Sequence, residues 1–417
     1  MDSWIRKVRI LDPLNQRDQL GDVLIRDGVI QAMGPSLEIA GDVIDDGICE
    51  VDGQGCVLGP GLVDLYSQTG EPGHESRETL EQLLQAAAQG GFTRVGILPN
   101  TVPAMDSPAQ LMLRLTHGAG EPQVLPWGAI TRGTQGEQLT DLMELSAAGV
   151  VGFADGQSLT NKRLVQRLLE YTQPLSLPLA LWACDRTQSG VCRDGPDAIR
   201  LGLSGLPITA ETIPLTALLE DVAMVQRPVH LMRISTARGV ELIRRAKSDG
   251  LPITASVTWL HLLFSTAELD SYAPSLRLAP PLGTPEDRSA LIAGLEDGTL
   301  DAIAVDHCAH TYEEKAVPFS VAPPGTVGLQ LALPVLWQTF VATQRWSALQ
   351  LWNYLSLQPS QCLGLEPASI EIGSPANLVL FDPNHTWTAT SEILGCDILN
   401  TPYGDQAIQG QAKHIWV

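Results

Sequence analysis

From residue 56 to residue 365 the chain alternates short apolar runs with amphipathic helical stretches, the pattern that a parallel sheet covered by helices demands. Candidate strands are residues 93–98, 150–153, 179–182, 229–234, 253–257 and 302–305. Helical stretches such as 239–247 and 285–295 lie between or after them. Repetition of this unit over roughly 300 residues favours a (β/α)8 TIM-type barrel, whose working residues stand at the carboxyl ends of the strands. A doubly wound open sheet is the alternative, but no glycine-rich dinucleotide fingerprint follows the first strands.

Both ends of the chain have a different texture. Ile5-Arg-Lys-Val-Arg-Ile10 and Asp22-Val-Leu-Ile-Arg26, the latter followed by Asp27-Gly28, read as hairpin strands, and so do Ala376-Asn-Leu-Val-Leu-Phe-Asp382 and Lys413-His-Ile-Trp-Val417. The expectation is a small β-sandwich domain composed of residues 1–55 and 366–417, beside a barrel of 56–365. The apolar stretch 327–342 is too short for a membrane span and is interrupted by Gln330, Pro334 and Gln338, so it reads as a buried helix. With 26 basic against 47 acidic residues and no basic run, nucleic acid is excluded as a partner. The first twelve residues lack the apolar core of a signal peptide, and seven scattered cysteines without a CxxC fit a reducing compartment. Cytoplasmic localisation is expected, with Cys56, Cys184 and Cys308 as small buried hydrophobes.

Specific motifs then emerge. Leu58-Gly-Pro-Gly-Leu-Val-Asp-Leu-Tyr-Ser-Gln-Thr-Gly-Glu-Pro-Gly73 resembles the PGxxDxHxHxREPG opening strand of the dihydroorotases, which are cyclic amidohydrolases. Gly90-Gly-Phe-Thr93, Leu98-Pro-Asn-Thr-Val-Pro103, His230-Leu-Met-Arg-Ile-Ser-Thr236, Pro280-Pro-Leu282, Asp301-Ala-Ile-Ala-Val-Asp-His-Cys-Ala-His310, Gly325-Thr-Val-Gly-Leu-Gln330 and Asn400-Thr-Pro402 extend the resemblance along nearly the whole chain. Function does not follow from fold membership alone, because it resides in the site.

Opening a cyclic amide at neutral pH requires a strong nucleophile, which bridged divalent metals supply by acidifying a bound water. Two histidines at i and i+2 on a strand share one side and can grip an ion. The resemblance implies zinc held by such a pair, but here the two positions are Tyr66 and Gln68. It places the acidic ligand at Asp155, within Phe153-Ala-Asp-Gly156, and two further histidine ligands at positions occupied by Trp182 and Arg233. Asp306 matches the carboxylate that binds metal and shuttles the proton, and is a vestigial catalytic residue on this reading. His307 and His310 persist in the same loop. The remaining histidines do not rebuild the site in this reading. His230 and Arg233, three apart on one strand, should point to opposite faces.

The resemblance also implies a clamp on the substrate carboxylate, formed by an arginine two residues after the histidine pair and an asparagine. The first is Gly70, whereas Asn100 is retained; Ala279 and Gly283 replace a further asparagine and arginine. The expected substrate-pocket positions are thus Asn100, His310, Gly70 and Ala279. No cofactor is expected, or at most one ion between Asp155, Asp306 and water. Without metal, Asp155 and Asp306 would repel in a buried mouth; Arg233 could pair with either, with Trp182 filling the freed volume. The leading expectation is a catalytically silent homologue in homo- or hetero-oligomers, with aspartate carbamoyltransferase as the partner that the resemblance implies. The alternatives are an active dihydroorotase or related cyclic amidohydrolase with an unusual metal set, and a small-molecule sensor.

Overall fold

A computed structural model describes residues 2–37, 48–112 and 120–417; His117, read as part of a polar loop, lies outside them. The amino-terminal strands are β1 (Ser3–Asp12), β2 (Arg17–Arg26), β3 (Val29–Gly34), β4 (Cys49–Asp52) and β5 (Val57–Pro60). Strands β6 (Leu62–Ser67), β7 (Phe92–Ile97), β8 (Gln123–Gly128), β9 (Gly152–Phe153) and β10 (Ala180–Leu181) follow. After a small pair, β11 (Cys192–Arg193) and β12 (Gly205–Leu206), come β13 (Val229–Leu231), β14 (Ile253–Thr258) and β15 (Ala302–Ala304). The chain ends with β16 (Leu378–Thr388) and β17 (Ala407–Trp416).

Eight of these strands form a ring. β6 to β9 pair in parallel in chain order, as do β10, β13, β14 and β15. A parallel bridge from Phe153 to Leu179 joins the two sets. On the other side the ring closes through Gln68 N donating to His307 O at 2.8 Å and Asp306 N donating to Tyr66 O at 3.2 Å. Helices Leu80–Gly90, Lys162–Thr172, Thr209–Val225, Ala237–Ser248 and Pro285–Glu296 are among those that follow ring strands. Their apolar faces and the outward side chains of the strands share one large core. A second cluster, with Val63, Leu65, Trp127, Ala180, Ala302 and Ala304, draws on strands all round the ring and fills its interior. Trp127 fits there because glycines flank it: a Cβ at Gly152 would lie 2.5 Å from its ring.

The two ends of the chain meet in one seven-stranded sheet, ordered β17-β16-β5-β1-β2-β3 with β4 alongside β1. Ile30 N donates to Ser374 O at 2.9 Å and Ala376 N to Gly28 O at 2.8 Å, bringing the β3 edge back to the segment before β16. The sheet therefore curls around its own core of Ile5, Ile10, Val23, Leu58, Leu378 and Trp416. The expected buried helix in 327–342 is present as Leu329–Leu336, continued by a wider π turn at Trp337–Val341. No described helix is long and apolar enough to cross a membrane.

Candidate functional site

A cavity of about 340 Å³ opens at the carboxyl ends of the ring strands. Gln68, Asn100, Trp182, Arg233, Ala279 and Asp306 all line it. The other expected positions do not line it: Tyr66 and Asp155 are buried, Gly70 packs against the backbone of His74 and Glu78, and His310 is buried with Nε2 3.5 Å from Cys308 Sγ.

An ion pair dominates the floor. Arg233 Nε and Nη2 donate to Asp306 Oδ2 and Oδ1, each at 2.7 Å, a bidentate arrangement of planar groups. The third corner of the guanidinium donates to Gly156 O at 2.7 Å. The Trp182 ring lies 5.0 Å and the Tyr66 ring 5.6 Å from its central carbon, within cation–π range. Burial works against the charge of Arg233, but the neighbouring Asp306 carboxylate outweighs it and holds the pKa above its ordinary value. The arginine is 4% exposed and the aspartate 14%.

Both partners have left-handed backbones, with φ of 56° at Arg233 and 54° at Asp306. Such a conformation is costly for residues with a Cβ and persists where surrounding contacts fix it. It also alters the expected strand geometry. β13 ends at Leu231, so Arg233 is not in strand register with His230; the left-handed turn swings it into the cavity.

Each remaining position of the implied metal site is engaged elsewhere. The Tyr66 hydroxyl accepts from Arg233 N at 3.2 Å and bonds Ser256 Oγ at 2.9 Å. Asn100 Nδ2 donates to Gln68 Oε1 at 3.0 Å. Asp155 is bound by Thr131 and not by Arg233: its carboxylate accepts from Thr131 N at 3.0 Å and Thr131 Oγ1 at 2.5 Å. Burial pushes the Asp155 carboxyl up to about 6. Among the described residues, no group of three or more His, Cys, Asp or Glu side chains is arranged to hold a metal ion. Thr131 and Ser256 carried no sequence signal, since hydroxyl residues are common at strand ends and only the third dimension brings them to these partners.

Below the floor, His230 is buried between Thr254 Oγ1 and Ser256 Oγ, each 2.9 Å from a ring nitrogen. Burial lowers its pKa to about 3, so it is neutral in the fold. The unfolded chain takes up a proton near pH 6.5 and the folded chain does not, so this histidine's contribution to stability is lost as pH falls from about 6.5 toward 3. His230→Gln should therefore reduce the acid-side slope of unfolding free energy against pH between 4 and 6 by about 1 kcal/mol per unit, measured by urea titration. Equal slopes in the two proteins would refute the assignment.

A ring of eight parallel strands with a mouth of this kind and a terminal sheet beside it is the architecture of the cyclic amidohydrolases. The L-hydantoinase of Arthrobacter aurescens shares it, with a TM-score of 0.84 at 19% identity over 99% of this chain and 93% of that one. That likeness is one of fold. The sequence is more specific: residues 55–232 match the Dihydro-orotase-like family and 204–415 the Amidohydrolase family. A "Probable dihydroorotase-like protein" of Synechocystis sp. is 42% identical over 97% of each chain. The dihydroorotase of Caldanaerobacter subterraneus subsp. tengcongensis is 34% identical over 96% of this chain and 92% of its own. The chain belongs to the dihydroorotase-like amidohydrolases.

Proposed function

We propose that this chain is a non-catalytic, cytoplasmic member of its family, in which an internal ion pair stands in for the metal centre, and that it serves as a subunit with aspartate carbamoyltransferase. The observation that carries the reading is the bidentate Arg233–Asp306 pair. Both oxygens of Asp306, the carboxylate to which the resemblance assigns metal binding and proton transfer, are bound by a guanidinium, which supplies positive charge in place of an ion. Tyr66, Gln68 and Trp182 offer zinc no imidazole, and the Asp155 oxygens are bound to Thr131. This donor set does not fit zinc, the ordinary metal of the family, so no hydrolytic step is derived through one.

Purified protein should interconvert carbamoyl aspartate and dihydroorotate no faster than buffer, in a spectrophotometric assay run with and without added zinc. Turnover above background would contradict the reading. The partner is tested separately by affinity capture from the native host, where aspartate carbamoyltransferase should be recovered in stoichiometric amount. Its absence from the captured complex would remove that part of the proposal.

A further inference from the structure

A second cavity, of about 370 Å³, lies at the amino-terminal ends of the ring strands and shares no lining residue with the mouth. Three neighbouring ring strands are entered through a proline, in Leu177-Pro178-Leu179 before β10, Arg227-Pro228-Val229 before β13 and Leu251-Pro252-Ile253 before β14. Proline is tolerated at a strand start because it brings no N–H that the ladder must satisfy. Its carbonyl still pairs: Pro178 O accepts from Phe153 N at 2.9 Å and Pro252 O from Val229 N at 3.1 Å. All three prolines line the cavity, together with Leu177, Leu251 and Ile253, so its walls are largely apolar. Ser176 and Gln361 stand exposed at its rim.

One charge stands in these walls. Arg227 lines the cavity and is 3% exposed, whereas His230, which lines it too, is neutral. The Arg227 guanidinium has only neutral acceptors: Nε donates to Thr172 Oγ1 at 3.4 Å and Nη2 to Leu177 O, while Nη1 has no partner among the described residues. Burial accordingly pulls its pKa below the ordinary value, with no carboxylate to offset the effect. Arg233 is similarly buried, and there Asp306 reverses the direction. A buried cation without a counter-charge is costly, and an anion in the adjoining cavity would relieve that cost.

We propose that this cavity is a second ligand site, which takes a small monocarboxylate with a compact apolar body, the carboxylate on Arg227 and the body against the prolines and leucines. The charge of the ligand follows from the wall: one guanidinium balances one negative charge, and no second cation lines the cavity to meet a dianion. Its apolar body follows from the side chains around the guanidinium, which offer area to bury and few polar partners. The site lies at the end of the barrel opposite the mouth and is independent of whether the mouth is catalytic.

Calorimetric titration of the full-length protein with four probes tests this. 4-Methylpentanoate carries both the anion and the apolar body, 4-methylpentanamide the body alone, acetate the anion alone, and inorganic phosphate a dianion without a body. The first should bind at least about tenfold more tightly than each of the others. Arg227→Gln should weaken 4-methylpentanoate about 10- to 100-fold and leave the amide unchanged. Because Arg227 is buried and its replacement can impair folding, a second variant tests the same charge from the rim. Ser176 is exposed, and Ser176→Asp should weaken the carboxylate about 3- to 10-fold, leave the amide unchanged and keep the urea midpoint of the parent protein. Binding of no probe, equal affinity for the carboxylate and its amide, phosphate binding as tightly as the carboxylate, or carboxylate affinity unchanged in a folded Arg227→Gln protein or in Ser176→Asp would overturn the proposal.

Discussion

Replacing Arg233 with alanine is expected to destabilise the protein by about 3–5 kcal/mol, read as a drop in the midpoint of urea unfolding. The magnitude follows from what is left behind. Asp306 is 14% exposed and has both oxygens on the guanidinium; without it the carboxylate is stranded in the barrel mouth. Arg233 Nη1 also donates to Gly156 O at 2.7 Å, so loss of the side chain frees a carbonyl acceptor as well. Removing both charges should be much milder, because two apolar groups of similar volume need no compensation: Arg233→Met with Asp306→Leu should recover most of the loss. If the single alanine variant costs less than about 1 kcal/mol, the pair does not replace the metal's charge in the way described.

Restoring histidine at positions 66, 68, 182 and 233 together is expected to leave turnover of dihydroorotate at background. The substitutions rebuild an imidazole set but not the grip on substrate, and the backbone forbids a simple repair of that grip. A Cβ on Gly70 meets two carbonyl oxygens at 2.4 and 2.5 Å, and one on Gly283 meets the Asp287 Cβ at 2.6 Å and Ser235 O at 2.9 Å. Any side chain at either position must displace backbone or a packed helix start. Adding Gly70→Arg to the four histidines should thus lower stability by a further 1–3 kcal/mol or about that, as overpacked sites do, and not raise the rate. Activity regained by the four histidines alone would show that the lost clamp matters less than its geometry indicates.

Much of this molecule is legible in the sequence because its fold is written redundantly. Apolar runs of parallel-sheet type recur at 93–98, 229–234 and 253–257, and the observed strands β7, β13 and β14 begin within a residue of them. β8 escapes that reading for a physical reason. Its sequence, Gln-Val-Leu-Pro-Trp-Gly, has a proline that argues against a central strand, yet the pairing survives because Pro126 uses its carbonyl, which accepts from Val151 N at 2.9 Å. The resemblance likewise locates the positions where histidines are replaced. What one dimension could not supply is direction. Two aspartates were candidates for Arg233, and the choice between them depends on Thr131, which takes both oxygens of Asp155 from a neighbouring strand end. Nor does strand periodicity foresee a left-handed turn at Arg233, a conformation that no local residue preference favours for arginine.

The most direct measurement is the zinc content of the protein after purification from zinc-supplemented cells and equilibrium dialysis against zinc, read by inductively coupled plasma mass spectrometry. With Asp306 held by Arg233 and no imidazole at positions 66, 68, 182 or 233, the expected content is far below one ion per chain. One or more zinc ions per chain, retained through dialysis and lost on substitution of Asp155 or Asp306, would contradict the account.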